Sequence, residues 1–77
     1  MERYLDLSSD SGVTAYEIRA GAIVLRFKDG GTYLYDESAP GRLHVEAMQQ
    51  RARAGRGLAT YVNQHVRDHY AARLDRP

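Results

Sequence analysis

From Ile23 to Tyr35 the chain reads I-V-L-R-F-K-D-G-G-T-Y-L-Y, two alternating runs of apolar and aromatic residues joined at Asp29-Gly30-Gly31. Period-two alternation on both sides of a glycine turn predicts a β-hairpin. Placing Gly30 in the left-handed region of a three-residue loop pairs Leu25 with Tyr33 and Ile23 with Tyr35. One face then carries Ile23, Leu25, Phe27, Tyr33 and Tyr35. The other carries Val24, Arg26, Lys28, Thr32 and Leu34, a mixed set suited to solvent or to a partner. A two-residue turn would shift the register by one and break up the aromatic face, so it is rejected. Upstream, Val13 to Ile18 is β-rich and half alternating, and Ala20-Gly21 turns it toward Ala22, which makes a meander. Tyr4 to Leu7 is read as a short first strand or an ordered arm, and Ser8 to Gly12 as a loop.

Beyond the hairpin the period changes to that of helices. Ser38-Ala39-Pro40 has the order of a helix start, a hydroxyl N-cap followed by a proline in the first turn, and the helix is expected to run to about Ala54 with Gly55 as its stop. Val45, Met48 and Ala52 form one apolar stripe, while Leu43, Ala47 and Ala54 fall nearly opposite. Two apolar sides imply two contacts. The second is either the last helix or another subunit, the latter giving a homodimer through Leu43 and Ala47. After the permissive Gly57, a second helix is expected from Leu58 to about Leu74, with Leu58, Val62, Val66 and Tyr70 at i, i+4 spacing and Tyr61 on the flank. Residues 71–77 are read as a frayed tail. The whole is a single α+β domain over residues 1–77: an antiparallel three- or four-stranded meander followed by two helices covering its aromatic face.

Composition narrows the class. With 77 residues, 43% of them hydrophobic and 27% charged, the chain has room for one small core and ordinary globular usage. A domain of this size buries only ~60% of its unfolded surface, so self-association would add stability. There is no cysteine, hence no disulfide framework and no thiolate ligand, which fits a reducing compartment. Met1-Glu2-Arg3-Tyr4 lacks the basic region and apolar run of a secretory signal, and no apolar stretch approaches the ~20 residues of a membrane span. The expected location is cytoplasmic, with no membrane partner.

Charge is uneven. Residues 1–41 carry four cations against seven anions, −3, and residues 42–77 carry seven arginines against three anions, +4. Guanidinium forks suit phosphates and carboxylates, whereas a solvated helical face with mixed ion pairs is the plainer reading of the same residues.

The ordered set Leu25-x-Phe27-x-x-Gly30-x-x-Tyr33-x-Tyr35, Ala39-Pro40, a helix, Gly55 and Gly57, then Tyr61-Val62-Asn63-x-x-Val66-x-x-x-Tyr70 resembles the KTSC domain. That family is named from an occurrence at the C-terminus of some lysyl-tRNA synthetases and also comprises short stand-alone bacterial and phage proteins. The resemblance covers roughly Ser8 to Tyr70. Two departures mark a divergent member: Ala39 stands where the family has a bulky apolar residue before the proline, and the stretch from Gly57 to Asn63 is longer than the family's. The synthetase context implies a nucleic-acid-binding role, RNA in preference to DNA.

Catalytic chemistry finds little support. His65 and His69 have the i, i+4 spacing of paired metal ligands, with His44 a third candidate, but no HExxH glutamate lies between them and Arg67 brings a cation beside them. Asp36-Glu37 before a helix start reads as interaction with the helix dipole rather than as an acid/base pair. Ser8-Ser9-Asp10-Ser11 has hydroxyls without a base or a nucleophile elbow. Gly55-Arg56-Gly57 is either a phosphate cradle or, more plainly, a helix stop. Asn63 either bonds back to the Gly55–Gly57 linker or contacts a ligand. The tyrosines are read chiefly as core, with base stacking the alternative. The sequence therefore predicts a non-enzymatic module without metal or cofactor, binding nucleic acid through Arg51, Arg53, Arg56, Asn63 and Arg67 at the helix–helix junction. The alternative is a protein-interaction or homo-oligomerisation module.

Overall fold

In the computed structural model, residues 1–5, 12–28, 30–66 and 68–74 are described. Four strands, β1 (Glu2–Arg3), β2 (Val13–Arg19), β3 (Ala22–Phe27) and β4 (Thr32–Asp36), precede α1 (Arg42–Ala54) and α2 (Leu58–Tyr61). The second helix continues as a π-helical turn, Val62–Val66, and a last strand, β5 (Ala72–Arg73), closes the chain's described part. Among the described residues the strands form one antiparallel five-stranded sheet in the order β1-β2-β3-β4-β5. The fold class is thus the expected small α+β, and no described helix is long and apolar enough to cross a membrane.

The hairpin takes the register that its glycine dictates. Ile23 faces Tyr35 and Leu25 faces Tyr33. Gly30 sits at φ 91°, a backbone open to glycine at little cost, and the Phe27 N–H donates to the Gly31 carbonyl at 2.9 Å to close the loop. Asp29 lies outside the described residues. On the next pair, Tyr16 faces Leu25 and Ile18 faces Ile23, with an irregularity between Val13 and Ala15 that returns Val13 to the same side as Phe27.

The helices cover that side. Val45, Met48 and Ala52 of α1 and Leu58, Val62 and Val66 of the second helix are buried against Ile23, Leu25, Tyr16 and Tyr35, as their two stripes predict. Each fully buried aliphatic side chain of this kind contributes about 1.5–3 kcal/mol. On the opposite side of the sheet Val24 is only 1% exposed, and Thr32 is also buried, so that face is less solvated than its mixed composition suggests.

Gly55 ends α1 in the left-handed conformation, its N–H reaching the carbonyls of Arg51 and Ala52, which satisfies the stop and leaves the phosphate-cradle reading unused at that amide. The N-terminal arm is stapled to the second helix. Tyr4 is buried, and its hydroxyl accepts the Leu58 N–H at 3.2 Å, one of the amides that a helix start leaves without an intrahelical partner. Tyr4→Phe leaves that buried N–H unpaired at about 1–3 kcal/mol, so the melting temperature should fall by several degrees with the spectrum of the folded state unchanged.

Four expectations are corrected. The first strand lies earlier than Tyr4 to Leu7, at Glu2–Arg3, pairing with Tyr16 and Ala15, and Tyr4 follows it in the alternative form of an ordered arm, its N–H on the Thr14 carbonyl; Asp6 and Leu7 lie outside the described residues. Ser38 is not the N-cap of α1, which begins at Arg42 after Gly41. The Asp36 carboxylate instead takes the Ser38 hydroxyl (2.6 Å), the Ser38 N–H (2.9 Å) and the Ala39 N–H (3.3 Å), a turn ahead of the helix. These donors, the hydroxyl first, hold the Asp36 carboxyl below its ordinary range. The second helix ends at Val66 rather than near Leu74. Finally, residues 71–74 do not fray: the Ala71 N–H donates to Leu34 and the Leu74 N–H to Thr32, both at 2.7 Å, and β5 adds an edge to the sheet. Residues 75–77 lie outside the described residues, as do Ser8 to Ser11.

Candidate functional site

The early end of the second helix opens a site. Past Val66 the chain turns, with the His69 N–H on the Val66 carbonyl at 2.8 Å. Tyr70 then settles beside the sheet, its ring 4.7 Å from that of Tyr33 and 6.4 Å from that of Tyr35. Phe27 meets Tyr33 edge to face at 5.5 Å. A helix continued to Leu74 would have laid its next turn over this end of the hairpin. A cleft of ≈ 430 Å³ remains there instead, its apolar lining Phe27, Tyr33, Tyr35, Val62 and Tyr70, its polar lining Lys28, Asn63 and Asp68. Such a volume lies within the ~300–1,000 Å³ of small-molecule sites.

Two details give the cleft its chemistry. Tyr35 is 1% exposed and lines the cleft, and its hydroxyl has no hydrogen-bond partner among the described residues. Burial, with smaller contributions from Tyr33, Tyr70 and Asp68, pushes that phenol far above its ordinary value of 10.0, so it stays a neutral donor. Phe27, Tyr33 and Tyr70 are only half-buried, packed at the border of the core, so the helices leave this end of the aromatic face partly uncovered. The Arg73 guanidinium lies 5.2 Å from the centre of the Tyr33 ring, so one cation already sits on the aromatic surface.

The residues expected to bind nucleic acid do not form one cluster. Arg51 places its guanidinium 4.4 Å over the Tyr61 ring and donates to the Ala47 carbonyl at 3.2 Å. Arg53 is exposed, two positions and hence about 200° further round α1, and with Met1, Glu2, Tyr16, Glu17 and Ile18 it lines a separate cleft. Arg56 is exposed in the linker between the two helices. Asn63 is exposed and lines the aromatic cleft; among the described residues no hydrogen bond ties its side chain to the Gly55–Gly57 linker. Arg67 lies outside the described residues. Helical periodicity alone separates Arg51 from Arg53. Counting arginines by segment overlooks that.

The histidines are also rearranged. His65 belongs to the π-helical turn and His69 lies beyond it, so the i, i+4 geometry that would pair them is lost. Among the described residues no group of three or more histidine, cysteine, aspartate or glutamate side chains is placed to hold a metal. His44 meets Tyr61 instead, Nδ1 to hydroxyl at 2.7 Å, and the His65 ring stands 4.5 Å from Tyr61. Sequence reasoning missed Lys28, Asp68 and the place of Tyr70 in the cleft lining. A signal was present: the i, i+4 stripe carries aliphatics at Leu58, Val62 and Val66, then only Tyr70 and the Arg73-Leu74 pair.

In comparisons with known proteins, no family model, no curated protein and no solved structure matches the chain.

Proposed function

We propose that this protein is a small non-enzymatic nucleic-acid-binding module, for RNA in preference to DNA, whose contact surface is the cleft between the β3–β4 hairpin and the second helix. The observation that carries this reading is the cleft's make-up: half-buried aromatic rings beside the Lys28 ammonium and the Asn63 amide. Aromatic faces that stack unpaired bases, with cations nearby for the phosphates, are how single strands are held. The excess of arginine after residue 41 supports it, with Arg56 exposed beside the helix–helix junction. So does the likeness of the chain's motif set to the KTSC domain, of which it would be a divergent bacterial or phage member. A cysteine-free chain acting on RNA suits the cytoplasm.

The test is fluorescence anisotropy with a labelled single-stranded RNA at several salt concentrations. Affinity should fall steeply with salt. Lys28→Ala should weaken binding and flatten the salt dependence, by roughly 0.7 of a unit of slope for one phosphate neutralised on a single strand. No association at low salt with RNA or DNA refutes the reading.

One observation favours the alternative of self-association. Leu43 is 81% exposed on α1, close to the half-buried Ala47, a large apolar side chain left on the surface. If this face joins two copies, sedimentation should show a dimer that Leu43→Glu or Ala47→Glu returns to monomer. A wild-type monomer at high concentration removes that alternative.

A further inference from the structure

We infer that the aromatic cleft is a guanine site: it takes one unpaired guanosine nucleotide, base against the rings and phosphate toward Lys28. This rests on the nucleic-acid reading for the source of the base and adds its identity. The cleft's polar complement decides between ligands. Asp68 offers a carboxylate, which when ionised only accepts hydrogen bonds, so an occupant must bring donors to it. The Tyr35 hydroxyl, unpartnered among the described residues and kept protonated by its surroundings, and the Lys28 ammonium both require acceptors. Guanine alone among the four bases presents two adjacent donors, N1–H and N2–H₂, next to an acceptor, O6. Adenine turns the lone pair of N1 toward a carboxylate. Uracil flanks its single N3–H with two carbonyl oxygens, and cytosine offers one amino group beside two acceptors. The Asn63 amide supplies a donor and an acceptor and fits any of them, so the choice falls to Asp68.

A cationic occupant, the other ligand for which aromatic walls and a carboxylate are suited, is opposed by what is already present. Lys28 lines the cleft and sets a like charge against a cationic occupant. A phosphate-bearing base meets the Lys28 ammonium with its phosphate and the Asp68 carboxylate with its donors, whereas a quaternary ammonium has a partner in Asp68 alone. The ≈ 430 Å³ of the cleft has room for a base with part of its ribose.

The test is calorimetric titration of the full chain with the 5′-monophosphates of guanosine, adenosine, cytidine and uridine, followed by single-stranded RNAs with and without guanosine. The expected result is a preference for the guanosine nucleotide of about 5- to 150-fold, the discrimination of one bidentate base contact. Asp68→Asn, on an exposed residue, should abolish most of that preference without altering the thermal transition. Tyr35→Phe removes only an oxygen that bonds to no described residue, so it should leave folding intact while weakening guanosine monophosphate about 3- to 10-fold. A merely structural role for Tyr35 moves stability and not nucleotide choice. Equal affinity for the four monophosphates overturns the inference, as does a guanosine preference that survives both substitutions. RNA binding indifferent to guanosine overturns it while leaving the nucleic-acid reading in place. Binding of the free nucleotide without binding of guanosine-containing RNA upholds the guanine site and refutes the RNA reading.

Discussion

Leu58→Ala should lower the melting temperature by roughly 12–24 °C, at about 3 kcal/mol and 4–8 °C per kcal/mol for a domain of this size. Leu58 is 0% exposed and opens the second helix. It packs in the same cluster as Met48, Val62, Ile23 and Leu25, where the helices meet the sheet. Its backbone N–H also holds the Tyr4 hydroxyl, so a collapse around the cavity would loosen the staple to the N-terminal arm as well. In a domain whose total stability is of order 5–15 kcal/mol, that loss is a large fraction. The control is Leu43→Ala. Leu43 is equally apolar, but it is exposed on α1, and its truncation should change stability by no more than about 0.5 kcal/mol. Thermal unfolding followed by circular dichroism separates the two; equal shifts would mean that the second helix does not dock as described.

The second large effect concerns binding. Tyr33→Ala removes a half-buried ring that lies between Phe27 and Tyr70 and lines the cleft. Stacking on an aromatic side chain contributes about 1–3 kcal/mol per base, so the affinity for single-stranded RNA should fall about 5- to 150-fold. Tyr33→Phe keeps the ring and should keep most of the affinity. Because Tyr33 also packs at the edge of the core, both variants are to be compared well below their melting temperatures, where the folded fraction is complete. A loss of binding in Tyr33→Phe as large as in Tyr33→Ala would place the effect on the hydroxyl and not on stacking.

Much of the fold is legible in the sequence because local chemistry and tertiary packing agree there. Gly30 and the alternation around it fix the hairpin register, and with it the pairing of Leu25 with Tyr33. The Val45-Met48-Ala52 stripe and the Gly55 stop define the buried side and the end of α1. Three features are less legible, each for a physical reason. Ser38 has N-cap chemistry, yet Asp36 two residues earlier competes for its hydroxyl and amide, and wins because the carboxylate takes both at once along with the Ala39 N–H. Tyr70 continues the i, i+4 stripe of the second helix, but a large ring reaches a core equally well from a turn, so periodicity cannot distinguish the two arrangements. The strand at Ala72–Arg73 is two residues long and follows the exposed edge of β4, a pairing set by that edge rather than by any alternation of its own.

The candidate site was the least legible because it arises from those same departures. Lys28 belongs to the hairpin turn, Asn63 to the π-helical segment, and Asp68 and Tyr70 to the chain beyond it. They converge only because the second helix stops at Val66. The expected junction cluster failed for the opposite reason: Arg51, Arg53 and Arg56 are close in sequence, but α1 directs the first two to different sides. Arg51 is further committed to Tyr61, whose hydroxyl in turn meets His44.

Whether single-stranded RNA is held in the cleft at the open end of the hairpin is decided by following the backbone amide resonances of isotopically labelled protein during titration with a short single-stranded RNA. The largest changes are expected on Lys28, Tyr33, Asn63, Asp68 and Tyr70, with Leu43 and Ala47 unaffected. Changes confined to α1 around Leu43 and Ala47, to the side of the sheet bearing Arg19 and Arg26, or absent at saturating RNA would contradict binding in the cleft.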